Sequence, residues 1–356
     1  MSTNMELSEL KTKIGVCKYN NVGGVSCYVN SILSILQQLP LFSDFIVNES
    51  FDHDRQKISY QLKRVLKTSL SYDDKNITPT KFLESIAEVD NIWGQGEQQD
   101  AQEFLNFLLN QLEKENMKEI YFDYGINKNI YKTNNINQNL INIIANSSYE
   151  KFIKKEYSIM IKLFGGMFYN TIICSKCGNN SNRFETFQML QLPIPENSTQ
   201  EYSLDQLLEH YTKTETLDDK NMLRCDFCKY KNKSKKNIYF WKTPKILIIQ
   251  LKRFKVNMYG IPTTKLNNMI TYPINGLDIN NYVHEYSNNK DAIYDLVGVN
   301  LHKSIMGINF GHYTNIAKNR FDNKWYYFDD SSPVINVKSK NEIIRNDAYL
   351  LFYYKR

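Results

Sequence analysis

Nowhere in its 356 residues does this sequence approach the run of roughly 20 apolar side chains that a membrane-spanning helix requires. The longest candidates, Ile246 to Ile249 and Tyr349 to Tyr354, are short, rich in β-branched or aromatic residues, and read as strands. Met1 to Lys13 mixes Glu6, Glu9 and Lys11 with polar side chains and lacks the apolar core of a secretory signal. A strong excess of one charge is missing too. The net charge is +6, the lysines are scattered among acids and asparagines, and the one dense basic run, Lys229 to Lys236, has the length of a solvated loop face. Neither a nucleic-acid partner nor a membrane span is therefore expected. No internal repeat is evident. A disulfide framework is also absent: four of the six cysteines stand in two Cys-x-x-Cys pairs. That usage suits metal-binding and catalytic thiols in a reducing compartment, cytoplasmic or nuclear.

What is present is ample apolar and aromatic side chain, 42% and 13%, for a sizeable buried core. The signals sort into an α-rich first part, a cysteine-bearing middle and a β-rich last part from Tyr239 to Tyr354. Val29, Ile32, Leu33, Leu36 and Leu39 mark one face of a helix that starts near Cys27 and stops at Pro40. Ala101, Phe104, Leu105, Leu108, Leu109 and Leu112 mark a second, with Asp100 and Glu103 at its start. Lys245 to Phe254, Asp295 to His302, Lys324 to Phe328 and Ala348 to Tyr354 have the composition of antiparallel strands. The class is α+β. Gly125 to Ser148, asparagine-rich and poor in helical periodicity, reads as a variable insertion or flexible linker.

Three groups of residues carry chemistry. Cys27 follows Val22-Gly23-Gly24-Val25-Ser26 and opens a helix, so its sulfur would lie at the positive end of the helix dipole, where the nucleophilic thiolate is favoured; the same position also suits a small buried hydrophobe. His312, in Gly311-His312-Tyr313, is followed by Trp325 to Asp330, and strand pairing would make it a neighbour of a carboxylate. Thiol, imidazole and carboxylate then fit nucleophilic catalysis, with His312 taking the thiol proton and Asp329 fixing the ring. The alternative is a buried histidine bonded to an unrelated backbone group. Cys174-x-x-Cys177 and Cys225-x-x-Cys228 form two knuckles able to close a tetrahedral, structural zinc site, or else four buried thiols.

Taken in order, these blocks resemble the ubiquitin-specific proteases, from about Val16 to the carboxyl terminus. Gly24 to Ser31 looks like that family's cysteine box, and Gln98-Gln99-Asp100-Ala101-Gln102-Glu103-Phe104-Leu105 like its following helix. Leu190 to Ile194 between the knuckles, Leu251-Lys252-Arg253-Phe254, Gly311-His312-Tyr313, Trp325 to Asp330 and Ala348 to Tyr353 complete the series. The resemblance implies a papain-like cysteine protease shaped as a hand: a short extension over 1–15, then one catalytic domain over 16–356, with a thumb over about 16–160, zinc-bearing fingers within about 165–245 and a palm over about 185–200 and 239–356. It implies hydrolysis of the isopeptide or thioester bond at ubiquitin's terminal glycine by Cys27, His312 and Asp329, with Asp330 as a secondary acid. Ubiquitin and ubiquitinated proteins are the implied partners, with a further protein for activation or targeting. Ubiquitin's tail carries arginines and ends in two glycines. Asp100, Glu103, Gln99, Gly311 and Tyr313 are the residues expected to meet it. Asp100 and Glu103 also fit a helix cap worth about 1 kcal/mol without substrate.

The sequence departs from the family at the residue that donates to the oxyanion. An asparagine or glutamine five positions before the nucleophile is usual; here that position is Val22, with Asn21 and Asn20 further out. Either Asn21 swings into place or the side-chain donor is missing, at a cost of roughly 10² to 10³ in turnover. Phe310 is bulkier than the small residue usual before Gly311. The alternative to an enzyme is a weak or inactive scaffold that holds ubiquitin without cutting it.

Overall fold

The computed structural model describes residues 15–71, 75–119, 138–153, 157–195, 200–219, 221–259, 262–304 and 311–356. Phe310 and the stretch 125–137 lie outside the described residues. The centre of the molecule is an eight-stranded sheet whose main path runs Ile335–Val337, Trp325–Phe328, Gly311–Lys318, Ile293–Ser304, Ala348–Lys355, Ile246–Lys252, Leu190–Pro193, with Leu277–Asp278 paired to the side of Ile293–Ser304. Neighbours are antiparallel except for Leu190–Pro193, which runs parallel to Ile246–Lys252.

Both faces of this sheet are covered, which explains why its central strands are nearly continuous apolar runs. Successive side chains of a strand point to opposite faces. Ile246 and Ile248 accordingly join one core with Leu350 and Phe352, while Leu247, Ile249 and Leu251 join another with Leu351 and Tyr353. The first core is closed by the helices of the amino-terminal half. Gln250, the polar residue within this run, faces the helices and donates to Gln102 Oε1 at 3.2 Å and Tyr349 Oη at 2.9 Å.

The Cys27 helix, Cys27–Leu36, is buried on every side rather than on one stripe. One side meets the helices of the first core, the other the sheet. The approach to the sheet is close enough that a Cβ on Gly298 would fall 2.7 Å from Ile35 Cγ2. Its buried hydroxyls are satisfied locally: Ser31 donates to Tyr28 O, Ser34 to Asn30 O, and Asn300 donates across the seam to Ser31 Oγ. The next helix begins at Pro40, at a first-turn position where the missing N–H costs nothing. The helix Ala101–Glu115 buries Phe104, Leu105, Leu108, Leu109 and Leu112 completely, on the order of 10 kcal/mol before the entropy of ordering them.

The expected linker over 125–148 needs correction where it is described. Gln138–Ile153 is a helix, packed through Ile141 and Ala145 against Met167, Tyr169 and Trp241. Asparagine has little intrinsic preference for a helix, and this one depends on its few apolar contacts. Beside it stands a four-stranded sheet, in order Asn180–Phe187, Gly166–Cys174, Ser234–Lys242, Glu215–Leu217. Its far end carries the cysteines. Among the described residues no helix is long and apolar enough to cross a membrane.

Candidate active site and metal centre

Cys27 occupies the first turn of its helix and is 1% exposed. His312 lies near the start of the strand Gly311–Lys318, which packs against that helix, and Asp329 follows the neighbouring strand Trp325–Phe328. Asp329 Oδ1 stands 2.6 Å from His312 Nε2, and Tyr327 Oη donates to Asp329 Oδ2 at 3.4 Å. A hydrogen bond with Cys27 is the chief cause that raises the His312 pKa to about 9, and the bond to Asp329 adds to it against the opposing effect of burial. The imidazole thus has the Asp329 carboxylate at one nitrogen and feels the Cys27 thiol strongly enough to shift its pKa.

Asp330 lies beside them, with one ligand atom of each of His312, Asp329 and Asp330 within 4.8 Å of the others. Its oxygens are engaged elsewhere: Oδ2 accepts from Asn21 Nδ2 and Oδ1 from Asn30 Nδ2, each at 2.8 Å. Burial raises its pKa, while Asn30, His312 and Asn21 act the other way. Asn21 Oδ1 in turn accepts from Ser26 N at 2.7 Å. Asn20 is turned outward and donates to Thr78 Oγ1 at 2.6 Å.

Asp100 caps its helix, accepting from Gln102 N at 2.7 Å and Glu103 N at 3.2 Å, and also receives the hydroxyls of Tyr313 at 3.1 Å and Tyr349 at 2.9 Å. Burial raises its pKa; the tyrosines and amides oppose it. Glu103 remains exposed, its pKa raised by partial burial and by Asp100. Gln99 donates to Ile92 O at 3.4 Å, and Gln98 Oε1 accepts from Gly311 N at 3.2 Å.

Gly311 is required by a neighbour. A Cβ there would lie 2.0 Å from His302 Nε2. His302 is 4% exposed and held between the rings of Phe254 and Tyr313, so it has nowhere to go. Burial, reinforced by Lys265, lowers the His302 pKa to about 3, so the ring is neutral. Gly311→Ala is expected to destabilise the protein by about 3 kcal/mol in urea unfolding and to misplace the adjacent His312.

The four knuckle cysteines meet as two mixed pairs, Cys174 with Cys228 and Cys177 with Cys225, each at 3.8 Å between sulfurs. A tetrahedral ion with metal–sulfur bonds of about 2.3 Å has sulfur–sulfur edges of about 3.8 Å. All four sulfurs lie within 4.8 Å of one another, so the donor set fits a tetrahedral metal. The knuckles are related in backbone as well. Gly178 N donates to Cys174 O and Lys229 N to Cys225 O, and both Gly178 and Lys229 have positive φ, 71° and 62°. Backbone N–H groups of Cys177 and Lys176 aimed at Cys174 lower its thiol pKa to about 6.

Asn30, Gln98 and Tyr349 lie within the motif blocks and His302 within an expected strand, but sequence reading assigns none of them a role in the site. The signal for Asn30 was available: a polar residue three positions after Cys27, inside an apolar helical run.

Comparison with known proteins bears on this arrangement. A family model described as "Ubiquitin carboxyl-terminal hydrolase" matches residues 17–353. The chain is 28% identical over 346 residues to ubiquitin carboxyl-terminal hydrolase Usp2 of Drosophila melanogaster, covering 95% of this chain and 35% of that protein. To ubiquitin carboxyl-terminal hydrolase 2 of Homo sapiens it is 28% identical over 356 residues, covering 96% of this chain and 56% of that one. The chain thus spans about a third to just over half the length of these relatives. Among solved structures it is similar to the SAGA DUB module Ubp8/Sgf11/Sus1/Sgf73 bound to monoubiquitin, with a TM-score of 0.71, 25% identity, and coverage of 97% of this chain and 70% of that one.

Proposed function

The chain belongs to the ubiquitin carboxyl-terminal hydrolase family, and from that membership we propose that it is a deubiquitinating cysteine peptidase with Cys27 as nucleophile, His312 as acid and base, and Asp329 as the residue that orients the ring. The observation that carries this reading is His312 Nε2 standing 2.6 Å from Asp329 Oδ1, with Cys27 near enough to raise the pKa of the same ring. Cys27 as thiolate attacks the carbonyl carbon of ubiquitin's terminal glycine. The C–N electron pair leaves with the lysine amine, which takes its proton from His312. Water then gives a proton to His312 and attacks the thioester, releasing the ubiquitin carboxylate and the thiol.

Asn21 supplies the side-chain oxyanion donor, joined by the backbone N–H of Cys27. Its amide is held at Oδ1 by Ser26 N and at one Nδ2 hydrogen by Asp330, which leaves the second hydrogen for substrate. Glu103, exposed and acidic, meets an arginine of the ubiquitin tail; Asp100 acts one layer below, holding Tyr313 and Tyr349. The four knuckle cysteines hold a structural zinc in fingers that grip ubiquitin's body, with helices of the amino-terminal half as thumb and the large sheet as palm. Cysteines kept reduced in both sites, one as nucleophile and four as zinc ligands, suit the cytosol or nucleus. The similar Ubp8 module contains Sgf11, Sus1 and Sgf73, which supports a further protein partner for activation or targeting here.

The test is hydrolysis of ubiquitin carrying a fluorogenic amide at its carboxyl terminus, followed against pH. His312 is raised from 6.5 to about 9, so its protonated form persists through neutral pH. The stabilisation from this raised group is full below about 6.5 and lost as pH rises through about 9. An alkaline limb near pH 9 in kcat/KM is expected, where the leaving amine loses its acid. A rate still rising well above pH 9 would argue against the His312 assignment.

A further inference from the structure

Four hydrogen bonds around the start of the Cys27 helix form a closed ring. Ser26 N donates to Asn21 Oδ1 at 2.7 Å, and Asn21 Nδ2 donates to Asp330 Oδ2 at 2.8 Å. Asn30 Nδ2 donates to Asp330 Oδ1 at 2.8 Å, and Asn30 N closes the ring on Ser26 O at 3.0 Å. The ring encloses the backbone that carries Cys27 and ties it to the strand end that carries Asp329. We propose that Asn30 is a positioning residue for the hydrolytic reaction, acting through this ring to hold Asn21 and Asp330 in register with Cys27.

The reasoning starts from the helix. Residues three apart share a face, so Asn30 and Cys27 project from the same side of Cys27–Leu36. A polar amide that is 2% exposed in a fully buried helix needs partners. Asn30 Nδ2 finds three acceptors: Asp330 Oδ1, Asn20 O at 3.2 Å and Tyr19 O at 3.4 Å. All three accept, so the amino end of the side chain must face them; the opposite orientation would put its oxygen against a carboxylate. Asn30 thereby grips both the loop before the nucleophile and the turn after Phe328.

Asp330 is fixed in the same way from its own side. Its backbone has φ 47°, in the left-handed region that asparagine, aspartate and glycine tolerate best, and this turn aims its two oxygens at two amide donors. Only an ionised carboxylate accepts from both without offering a proton. In the other direction the ring reaches Asn21, which receives the Ser26 N–H and is pulled by Asp330. With both of its ends held, Asn21 cannot swing away from the nucleophile. Asn30 touches no reacting atom; its effect passes through Asp330 and the loop carbonyls.

This inference rests on the hydrolase reading, so the experiment has one readout that depends on turnover and one that does not. Asn30→Ala, and Asn30→Asp as a second variant of nearly the same volume, are compared with the parent on the ubiquitin fluorogenic amide and by hydrogen–deuterium exchange. For both variants kcat is expected to fall about 10- to 100-fold with KM within about twofold, because the lost bond is one to a charged group and the substrate contacts remain. Exchange of peptides covering Asn20 to Cys27 should rise about tenfold, while the cysteine knuckles stay unchanged. Unchanged kcat, equal changes in kcat and KM, or unmoved exchange over Asn20 to Cys27 would each overturn it. If the parent chain fails to cleave ubiquitin amide, the hydrolase reading falls, and the exchange data still decide whether the ring exists.

Discussion

Replacing His312 with alanine is expected to lower kcat/KM on a ubiquitin carboxyl-terminal amide by roughly 10⁴-fold or more, leaving affinity for ubiquitin nearly intact. On the proposed reading the ring would have three duties: to pair with Cys27, to protonate the departing amine, and to carry the positive charge that Asp329, 2.6 Å away, would stabilise. Alanine removes all three at once. Asp329→Asn should do far less damage, because an amide oxygen accepts from Nε2 as a carboxylate oxygen does. It removes only the charge, so the alkaline limb of the pH profile should move below about 9 while turnover persists. Equal losses in the two variants would mean that Asp329 is more than an orienting partner. Stopped assays together with ubiquitin binding by calorimetry separate these outcomes.

Metal removal is the second large effect. The ribbon around Cys225 to Asn232 has almost no core of its own: Leu223, Phe227 and Tyr230 are 44%, 61% and 58% exposed, and the paired segments Leu223–Arg224 and Lys231–Asn232 are two residues each. Among the described residues of this ribbon no buried apolar side chain holds Cys225 and Cys228 beside Cys174 and Cys177. Zinc in such a site contributes on the order of 10 kcal/mol to folding. A strong chelator should therefore release one zinc per chain, expose four thiols to a chromogenic disulfide and disorder the ribbon, while the Cys27 helix keeps its protection. Ubiquitin affinity should fall with it. Four thiols that react at the same rate with and without chelator would contradict a metal at the knuckles.

The parts of the fold that were legible from sequence are those where one local rule governs. Ile246–Lys252 and Ala348–Lys355 were readable as strands because burial on both faces makes them apolar throughout. The helix Ala101–Glu115 was readable because an apolar stripe and a capping Asp100 agree. The two knuckles were readable because two Cys-x-x-Cys pairs make a donor set suited to one tetrahedral ion. Long-range polar geometry was not readable. Asn30 meets Asp330 across 300 positions and Tyr349 meets Asp100 across 249, and no periodicity records either pairing. The helix Gln138–Ile153 was missed for a different reason: asparagines hide its period, and what it packs on, Tyr169 and Trp241, lies on strands folded from elsewhere. His302 illustrates the same limit. Its ring explains the glycine before His312, yet only the pairing of its strand with Gly311–Lys318 brings the two together.

The most direct measurement on the central claim is capture of the nucleophile. The purified protein, loaded with zinc, is incubated with ubiquitin bearing a thiol-reactive electrophile at its carboxyl terminus, beside Cys27→Ala and beside electrophiles built on ubiquitin-like proteins. The account predicts a mass increase of one ubiquitin, mapped to Cys27, absent in Cys27→Ala and absent or far slower with the ubiquitin-like probes. No adduct from a folded sample that still binds ubiquitin, or an adduct carried by another cysteine, would contradict it.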